Sequence, residues 1–175
     1  MKKKVVFLFL IIAACVTALQ AAGDWSKYTS PEGRYTILFP GEPRLMTQES
    51  PNADGDKVLQ HLAASTSPDV TCLVGYFDIK PGLTFSFDKG RDGMIAAVKG
   101  TLLEERNISL GSSPGRELKI AAQPVAGQNL LIVARYYQVG DRVYVVQFIA
   151  LKSSGNTVAE ASGRYFDSFQ VIAAR

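Results

Sequence analysis

Histidine and cysteine, on which most zinc sites and many nucleophilic enzymes depend, are scarce here: the 175 residues include one histidine and two cysteines. No His-x-x-x-His or Cys-x-x-Cys spacing occurs, which excludes the usual zinc sites. A Gly-x-x-x-x-Gly-Lys-Ser/Thr loop for nucleotide phosphates is also missing. The sequence therefore predicts no metal site and no cofactor.

The N-terminus has the pattern of a secretory signal peptide. Lys2, Lys3 and Lys4 precede an apolar run from Val5 to Leu19, followed by small residues. The run has about 15 residues, whereas a membrane-spanning helix needs roughly 20. We therefore predict a signal peptide at residues 1–22, a single domain at residues 23–175, and no transmembrane span after cleavage.

Cys15 leaves two hypotheses for the processed protein. Ile12-Ala13-Ala14-Cys15 is similar to a bacterial lipobox, whose cysteine is lipidated. Against lipidation, the signal would be short and Val16 to Leu19 would stay apolar after it. We favour a soluble periplasmic or extracellular protein whose N-terminus lies within Val16 to Asp24; a lipid anchor on Cys15 is the alternative.

Removal of that segment changes the charge of the protein. The whole chain has 19 Lys+Arg and 16 Asp+Glu. Residues 1–22 hold three of the lysines and no acidic residue, so the mature chain has 16 residues of each sign. A neutral chain lacks the basic surface that nucleic-acid binding requires. Removal of residues 1–22 also leaves Cys72 as the only cysteine of the mature chain. Cys72 lies in an apolar stretch, which predicts a buried free thiol rather than a reactive one.

Strand patterns occupy the first half of the chain. Arg34–Phe39 reads as a strand that stops at Pro40-Gly41-Glu42-Pro43, and Leu45–Ser50 with Lys57–Ser65 reads as a hairpin. Another strand follows at Val70–Ile79. Because every connection is short, we expect these strands to be antiparallel neighbours.

A helix and further strands follow. Apolar residues from Phe87 to Leu102 recur with the period of a helix, and strands are predicted at Asn107–Leu110, Arg116–Ala121 and Asn129–Val139. Gly140-Asp141 predicts a hairpin turn into Arg142–Leu151.

The strand at Arg142–Leu151 is apolar almost without alternation, which indicates that both of its faces are covered. A second helix is available to cover one face. Thr157 and Glu160 form a capping-box pattern, ahead of an apolar stripe that ends at Phe169. The order predicts an α+β fold, an α/β/α sandwich with a mainly antiparallel central sheet.

Several segments resemble exported bacterial PsbP-like proteins of the Mog1/PsbP-like superfamily. They are Trp25 to Tyr28, Ser30 to Pro43, Ala134 to Tyr144 and Tyr165 to Phe169. The resemblance implies the same sandwich and a non-catalytic binding domain. Relatives in that superfamily support a photosynthetic complex, bind a small GTPase or act as secretion chaperones. Their ion-binding residues have no matching positions here.

Two patterns contain residue types that are typical of catalytic sites. Gly111-Ser112-Ser113-Pro114-Gly115 fits Gly-x-Ser-x-Gly, but a nucleophile elbow needs a helix directly after it and a later histidine. The following segment reads as a strand, and His61 comes earlier, so a turn between strands is favoured over a hydrolase. His61 has no partner at metal-ligand spacing and is interpreted as a polar position on a half-buried strand.

Three further patterns have structural interpretations. Asn52 to Asp56 lacks the order of an EF-hand loop and predicts a hairpin turn. Glu104 and Glu105 are adjacent and predict solvated charge at the end of an element. Trp25 is predicted to cap the edge of a sheet, with an exposed contact as the alternative.

The functional expectation is an exported, non-catalytic binding or accessory domain that acts through protein–protein contacts in the cell envelope. Arg135 and Tyr137, on one face of a strand, are the candidate partner contact, because arginine and aromatic residues dominate interface hot spots. The alternative is that Tyr137 packs beneath a helix while Arg135 extends to water. A small-ligand or metal carrier is a second functional class, and a hydrolase with a cryptic site is a third.

Overall fold

The computed structural model describes residues 25–51, 57–123, 129–151 and 155–172. They form ten strands and two helices in this order: β1 Ser26–Ser30, β2 Tyr35–Phe39, β3 Arg44–Pro51, β4 Lys57–Thr66, β5 Val70–Asp78, α1 Phe87–Val98, β6 Thr101–Leu110, β7 Ser113–Ala122, β8 Leu130–Val139, β9 Arg142–Leu151, α2 Gly155–Asp167 and β10 Gln170–Val171.

Seven strands form the central sheet, in the order β3-β4-β5-β9-β8-β7-β6. Every neighbouring pair in it is antiparallel. The predicted β3–β4 hairpin and the Gly140-Asp141 hairpin between β8 and β9 are both confirmed. The five residues that connect β3 to β4, including the predicted turn at Asn52 to Asp56, lie outside the described residues.

Both faces of the central sheet are covered, as the apolar sequence of β9 predicts. Val143, Val145 and Ile149 pack on one face with Met94 and Val98 of α1. The opposite face packs against α2 and against a second sheet of three strands, in the order β1-β2-β10. The α/β/α sandwich is therefore confirmed, with a small sheet added to the α2 layer.

The placement of β2 corrects one expectation. β2 pairs with β1 and β10 in the small sheet and does not pair with β3, although only four residues separate β2 from β3. Pro40 and Pro43 lack backbone N–H groups, and Gly41 has a φ of +146°, so the chain leaves one sheet and enters the other here. A short connection alone did not decide which strands pair.

The helix predicted over Phe87–Leu102 ends earlier, at Val98. Lys99 adopts a left-handed φ of 50°, and its N–H and that of Gly100 donate to carbonyls of the last helical turn. A Cβ on Gly100 would lie 2.5 Å from Ile120 Cγ2, so the close approach to β7 needs glycine. β6 consequently begins at Thr101, and Glu104 and Glu105 lie inside a strand instead of at an element end.

The second helix also differs in detail. α2 begins at Gly155, two residues before Thr157, so the predicted capping position is wrong. The Thr157 side chain lies outside the described residues. The predicted apolar stripe is confirmed where it is described, because Tyr165, Phe166 and Phe169 are all buried.

Candidate functional site

Two of the segments that resemble PsbP-like proteins, Ser30 to Pro43 and Ala134 to Tyr144, meet at one end of the central sheet. Arg142, at the start of β9, forms a two-pronged ion pair with Asp78 on β5, with N–O distances of 2.6 and 2.8 Å. Its third nitrogen donates to the Glu32 carbonyl at 2.6 Å, and the Tyr144 hydroxyl donates to the Gly33 carbonyl at 2.8 Å. These contacts fasten the turn before β2 to the central sheet, and we call them the Arg142 clamp.

The turn held by the clamp requires its glycine. A Cβ on Gly33 would lie 2.6 Å from both Ser30 Oγ and the Tyr35 ring, while Ser30 Oγ accepts a hydrogen bond from the Gly33 N–H. Arg34 then adopts a left-handed φ of 53°. The Pro31-Glu32-Gly33-Arg34 turn therefore forms part of the junction between the two sheets.

Replacement of Arg142 with Ala should lower the free energy of unfolding by about 2 kcal/mol, because the charged hydrogen bonds to Asp78 and Glu32 are lost. The measurement is urea unfolding at neutral pH. Arg142→Lys should recover little, since an ammonium cannot form the two-pronged pair. Full stability in Arg142→Ala would show that the clamp does not hold the two sheets together.

The clamp also predicts a dependence on pH. The hydrogen bonds from Arg142 hold the pKa of Asp78 below its ordinary value. This stabilisation is complete above the unfolded pKa of about 3.9 and is lost as pH falls through the lower folded value. The stability difference between wild type and Arg142→Ala should therefore shrink in acid, and urea midpoints at about pH 7 and about pH 2 would measure it.

His61 lies on β4, where its ring stacks on Tyr76 of β5, with centroids 4.7 Å apart and planes 7° apart. Arg142 lies over the same tyrosine ring at 4.5 Å. The interpretation of His61 as a polar residue on a half-buried strand is confirmed.

The Gly-x-Ser-x-Gly segment is a turn followed by a strand, as predicted. Gly111 has a φ of +60° between β6 and β7, and Ser113 begins β7. A Cβ on Gly115 would lie 2.6 Å from the Tyr136 carbonyl oxygen and from the Tyr137 ring. The left-handed turn accounts for Gly111 and the close approach of β8 accounts for Gly115. The helix that a nucleophile elbow needs does not follow.

Cys72 is a free thiol and is fully buried, which confirms its prediction. Burial raises the pKa of the thiol, so little thiolate forms near neutral pH. A maleimide should label native protein far more slowly than denatured protein, and raising the pH from about 7 to about 9 should change the native rate little. Native labelling at the denatured rate would contradict this placement.

Tyr137 and Arg135 share one face of β8, but the structure gives them different surroundings. Tyr137 is 5% exposed and stacks on Phe169, with centroids 5.9 Å apart. Arg135 pairs with Glu117 at 2.6 Å and lies 4.3 Å over the Phe166 ring. In this conformation Tyr137 offers almost no area to a partner, so the packed alternative describes it better. A partner contact that includes Arg135 stays a prediction.

Glu117 lies between two arginines, Arg106 and Arg135, each 2.6 Å away. Burial opposes ionisation of this carboxyl, but the hydrogen bonds from the two arginines outweigh it and lower its pKa. Glu105 similarly binds Arg116 and Arg91, so it links β6 and β7 to α1. The carboxylates of Glu117 and Glu105 therefore stabilise the packing of the central sheet and of α1.

Trp25 lies against Tyr165, with ring centroids 6.2 Å apart, and Arg164 lies over its ring at 5.6 Å. It packs, partly buried, against the buried cluster between the central sheet and α2. The cap over the edge of a sheet stays a prediction. Among the described residues, no group of three or more His, Cys, Asp or Glu side chains is placed to hold a metal ion. No helix in the described ranges is long and apolar enough to cross a membrane.

A cavity of about 220 Å³ opens beside the end of α1, lined among the described residues by Lys99, Thr101, Ala121, Ala122, Gln123, Asn129 and Leu130. Ligand pockets usually have about 300–1,000 Å³ and an apolar lining. The carrier alternative therefore gains no support from this cavity.

Exposed apolar side chains are concentrated on the β3–β4 hairpin. Among the described residues, seven large hydrophobic side chains are exposed, and three of them are Leu45, Met46 and Leu59. Leu45 is 65% exposed and Met46 is 42% exposed. We did not predict this surface from the sequence, although two adjacent apolar residues in an otherwise polar strand, Arg44–Ser50, were a signal for it.

The outer side of β3, residues Arg44–Ser50, is an edge of the central sheet, and we call it the β3 edge. β6 is the other edge. It has an irregular register between Leu102 and Glu104, and consecutive charged residues from Glu104 to Arg106. Both features discourage pairing with another strand. The register of β3 with β4 is regular along its whole length.

Solved structures show where this architecture occurs. The chain is similar to cyanobacterial PsbP (CyanoP) from Synechocystis sp. PCC 6803, with a TM-score of 0.58 and 13% identity over 91% of this chain and 98% of that one. The present chain therefore has the Mog1/PsbP-like fold. It is also similar to PA94, a Pseudomonas aeruginosa protein of unknown function, with a TM-score of 0.50 and 12% identity over 87% and 99% of the two chains. No protein-family model and no curated protein sequence matches the chain.

The Mog1/PsbP-like likeness extends over almost the full length of both solved proteins, at identities that establish architecture alone. The sequence segments that suggested it, around Gly33 and Arg142, form the junction of the two sheets.

Proposed function

We propose that the mature chain is an exported, non-catalytic binding domain that acts through protein–protein contacts in the cell envelope. The observation that carries the proposal is the concentration of exposed apolar side chains on the β3–β4 hairpin. Leu45 and Leu59 lie on one face of the hairpin and Met46 on the other, beside an edge of the central sheet. A sheet edge flanked by exposed apolar side chains is typical of sites at which another polypeptide binds. The reactive side chains, by contrast, have structural roles: Cys72 is buried, and His61 is stacked on Tyr76.

Export is the part of the proposal that rests on the N-terminal sequence. We expect the mature N-terminus to lie within Val16 to Asp24 without lipid. The measurement is the intact mass of protein recovered from the envelope of the native host. A mass that corresponds to diacylated Cys15 would show that the protein is anchored in the membrane and not soluble. An uncleaved chain in the cytoplasm would contradict export.

The binding role is tested by site-specific photo-crosslinking in the native host. A photoreactive amino acid at Leu45 or Leu59 should crosslink a defined polypeptide. The same group at Leu103 or Leu151, which are 52% and 42% exposed, serves as the matched control. A crosslinked protein at the hairpin positions alone supports the proposal. No crosslinked polypeptide from any of the four positions, or substrate turnover that depends on His61 or Ser113, would contradict it.

A further inference from the structure

Among the described residues, no strand pairs with the backbone groups along the outer side of the β3 edge. An edge strand presents a row of N–H and C=O groups without strand partners, and most proteins block such rows with bulges, prolines or charge. Between Arg44 and Glu49 the β3 edge carries four uncharged residues, no proline and no register shift. At the opposite edge, β6 has both the irregular register and the central charges. The two edges of the same sheet are therefore unequal.

Exposed side chains beside the β3 edge lie on both faces of the sheet. Leu45 pairs in register with Ala63, whose face packs against α2 and the small sheet. Met46 pairs with Leu62 and therefore points to the other face. An added strand with apolar residues at two adjacent positions would cover both. A helix laid on the edge would cover one face at most and leave the backbone groups unpaired.

A second copy of this chain fits the β3 edge poorly. Two copies related by a two-fold axis perpendicular to the sheet must pair residues that point to the same face. A register centred on Thr47 places Leu45 opposite Glu49 and Met46 opposite Gln48 of the second copy. A register centred on Met46 restricts the ladder to Arg44–Gln48. In the first register, pairing of two copies places apolar side chains opposite charged or polar ones. In the second register, the ladder is short.

We propose, on the basis of the binding function above, that the β3 edge binds an extended segment of another polypeptide as an added antiparallel strand. The segment carries apolar residues opposite Met46 and Leu45, followed by an acidic residue opposite Arg44. Antiparallel addition continues the arrangement of every pair in the sheet. A strand pair is stabilised when two apolar residues, or two residues of opposite charge, lie directly opposite each other. Backbone pairing provides affinity, and Leu45, Met46 and Arg44 provide selectivity.

A labelled decapeptide tests the proposal by fluorescence anisotropy. Its core is Thr-Thr-Val-Val-Glu, placed to lie opposite Gln48 through Arg44. We expect saturable binding, weakened about ten-fold or more by Leu45→Lys with Met46→Lys. Leu103→Lys on β6 is the matched control and should leave binding unchanged. Methylation of alternate peptide nitrogens should abolish binding, because the ladder needs those donors.

A charge exchange makes the register specific. Arg44→Glu should weaken binding of the acidic peptide and strengthen binding of a peptide with lysine at the same position. Circular dichroism on each variant confirms that the exposed substitutions leave the fold intact. Tight binding of the lysine peptide to the Arg44→Glu variant would place that peptide position opposite residue 44 and support the antiparallel register.

Several results would overturn the inference. One is the absence of saturable binding, and another is binding that survives Leu45→Lys with Met46→Lys or peptide methylation. A dimer seen by light scattering and dissolved by Leu45→Lys would make a second copy the occupant. A partner crosslinked only at Leu103 or Leu151 would preserve the binding function and remove the β3 edge from it, so the two failures are distinguishable.

Discussion

Replacement of Tyr137 with Ala should destabilise the protein by about 3–5 kcal/mol, the range for removing a buried aromatic ring. Tyr137 is 5% exposed, belongs to the cluster shared by the central sheet and α2, and stacks on Phe169. Truncation leaves a cavity between the central sheet and the α2 layer. For a domain of about 150 residues, the expected fall in Tm is roughly 6–20 °C. Thermal unfolding followed by circular dichroism measures it.

Two companion variants separate core packing from partner contact. Tyr137→Phe keeps the ring and should cost less than about 1 kcal/mol. Arg135→Ala removes the pair with Glu117 and the contact with Phe166, and should cost about 1–2 kcal/mol, since Arg106 still holds Glu117. If Tyr137→Ala lost partner capture while keeping the wild-type Tm, Tyr137 would belong to a contact surface after all.

The sequence predicted the layers of this fold better than its strand pairing. The unbroken apolar run of β9 required cover on both faces, and the structure provides α1 on one side and α2 on the other. Periodicity reports burial, so it identified these elements. It does not report which strand lies beside which, and β2 accordingly joined a separate sheet.

The predicted end of the first helix was wrong because apolar spacing does not mark where the helix stops. The apolar spacing from Phe87 to Leu102 continues past Val98, because Leu102 still faces the α1 layer from β6. Only the left-handed Lys99 and the close packing of Gly100 against Ile120 end the helix. The second of these depends on a residue twenty positions away, which a local pattern cannot include.

The candidate surface was harder to predict than the fold. Arg135 and Tyr137 have the residue types of interface hot spots, but residue type does not distinguish a buried aromatic ring from an exposed one. The β3 edge has few of the residues typical of hot spots. Its distinguishing features are the position of β3 at the end of the strand order and the exposure of Leu45 and Met46. Both are properties of the assembled sheet.

Replacement of Gly115 with Ala should be severe for a change of one methyl group, at about 3 kcal/mol or more. The added Cβ would lie 2.6 Å from the Tyr136 carbonyl oxygen and 2.6 Å from Tyr137 Cδ1. A backbone oxygen cannot rotate away as a flexible side chain can. Gly115 is paired with Tyr137 in the β7–β8 ladder, so relief requires separation of two central strands. Urea unfolding of Gly115→Ala measures the loss.

Gly163→Ala is the matched control, because it makes the same chemical change where a Cβ would meet nothing within 4 Å. Gly163 lies inside α2, where alanine is favoured over glycine by roughly 1 kcal/mol, so this variant should be slightly more stable than wild type. Opposite signs for the two variants would show that steric contact at β8 keeps Gly115 a glycine. If Gly115→Ala instead kept wild-type stability, the second glycine of the Gly-x-Ser-x-Gly segment would lack a structural explanation, and the hydrolase hypothesis would need to be tested again through Ser113.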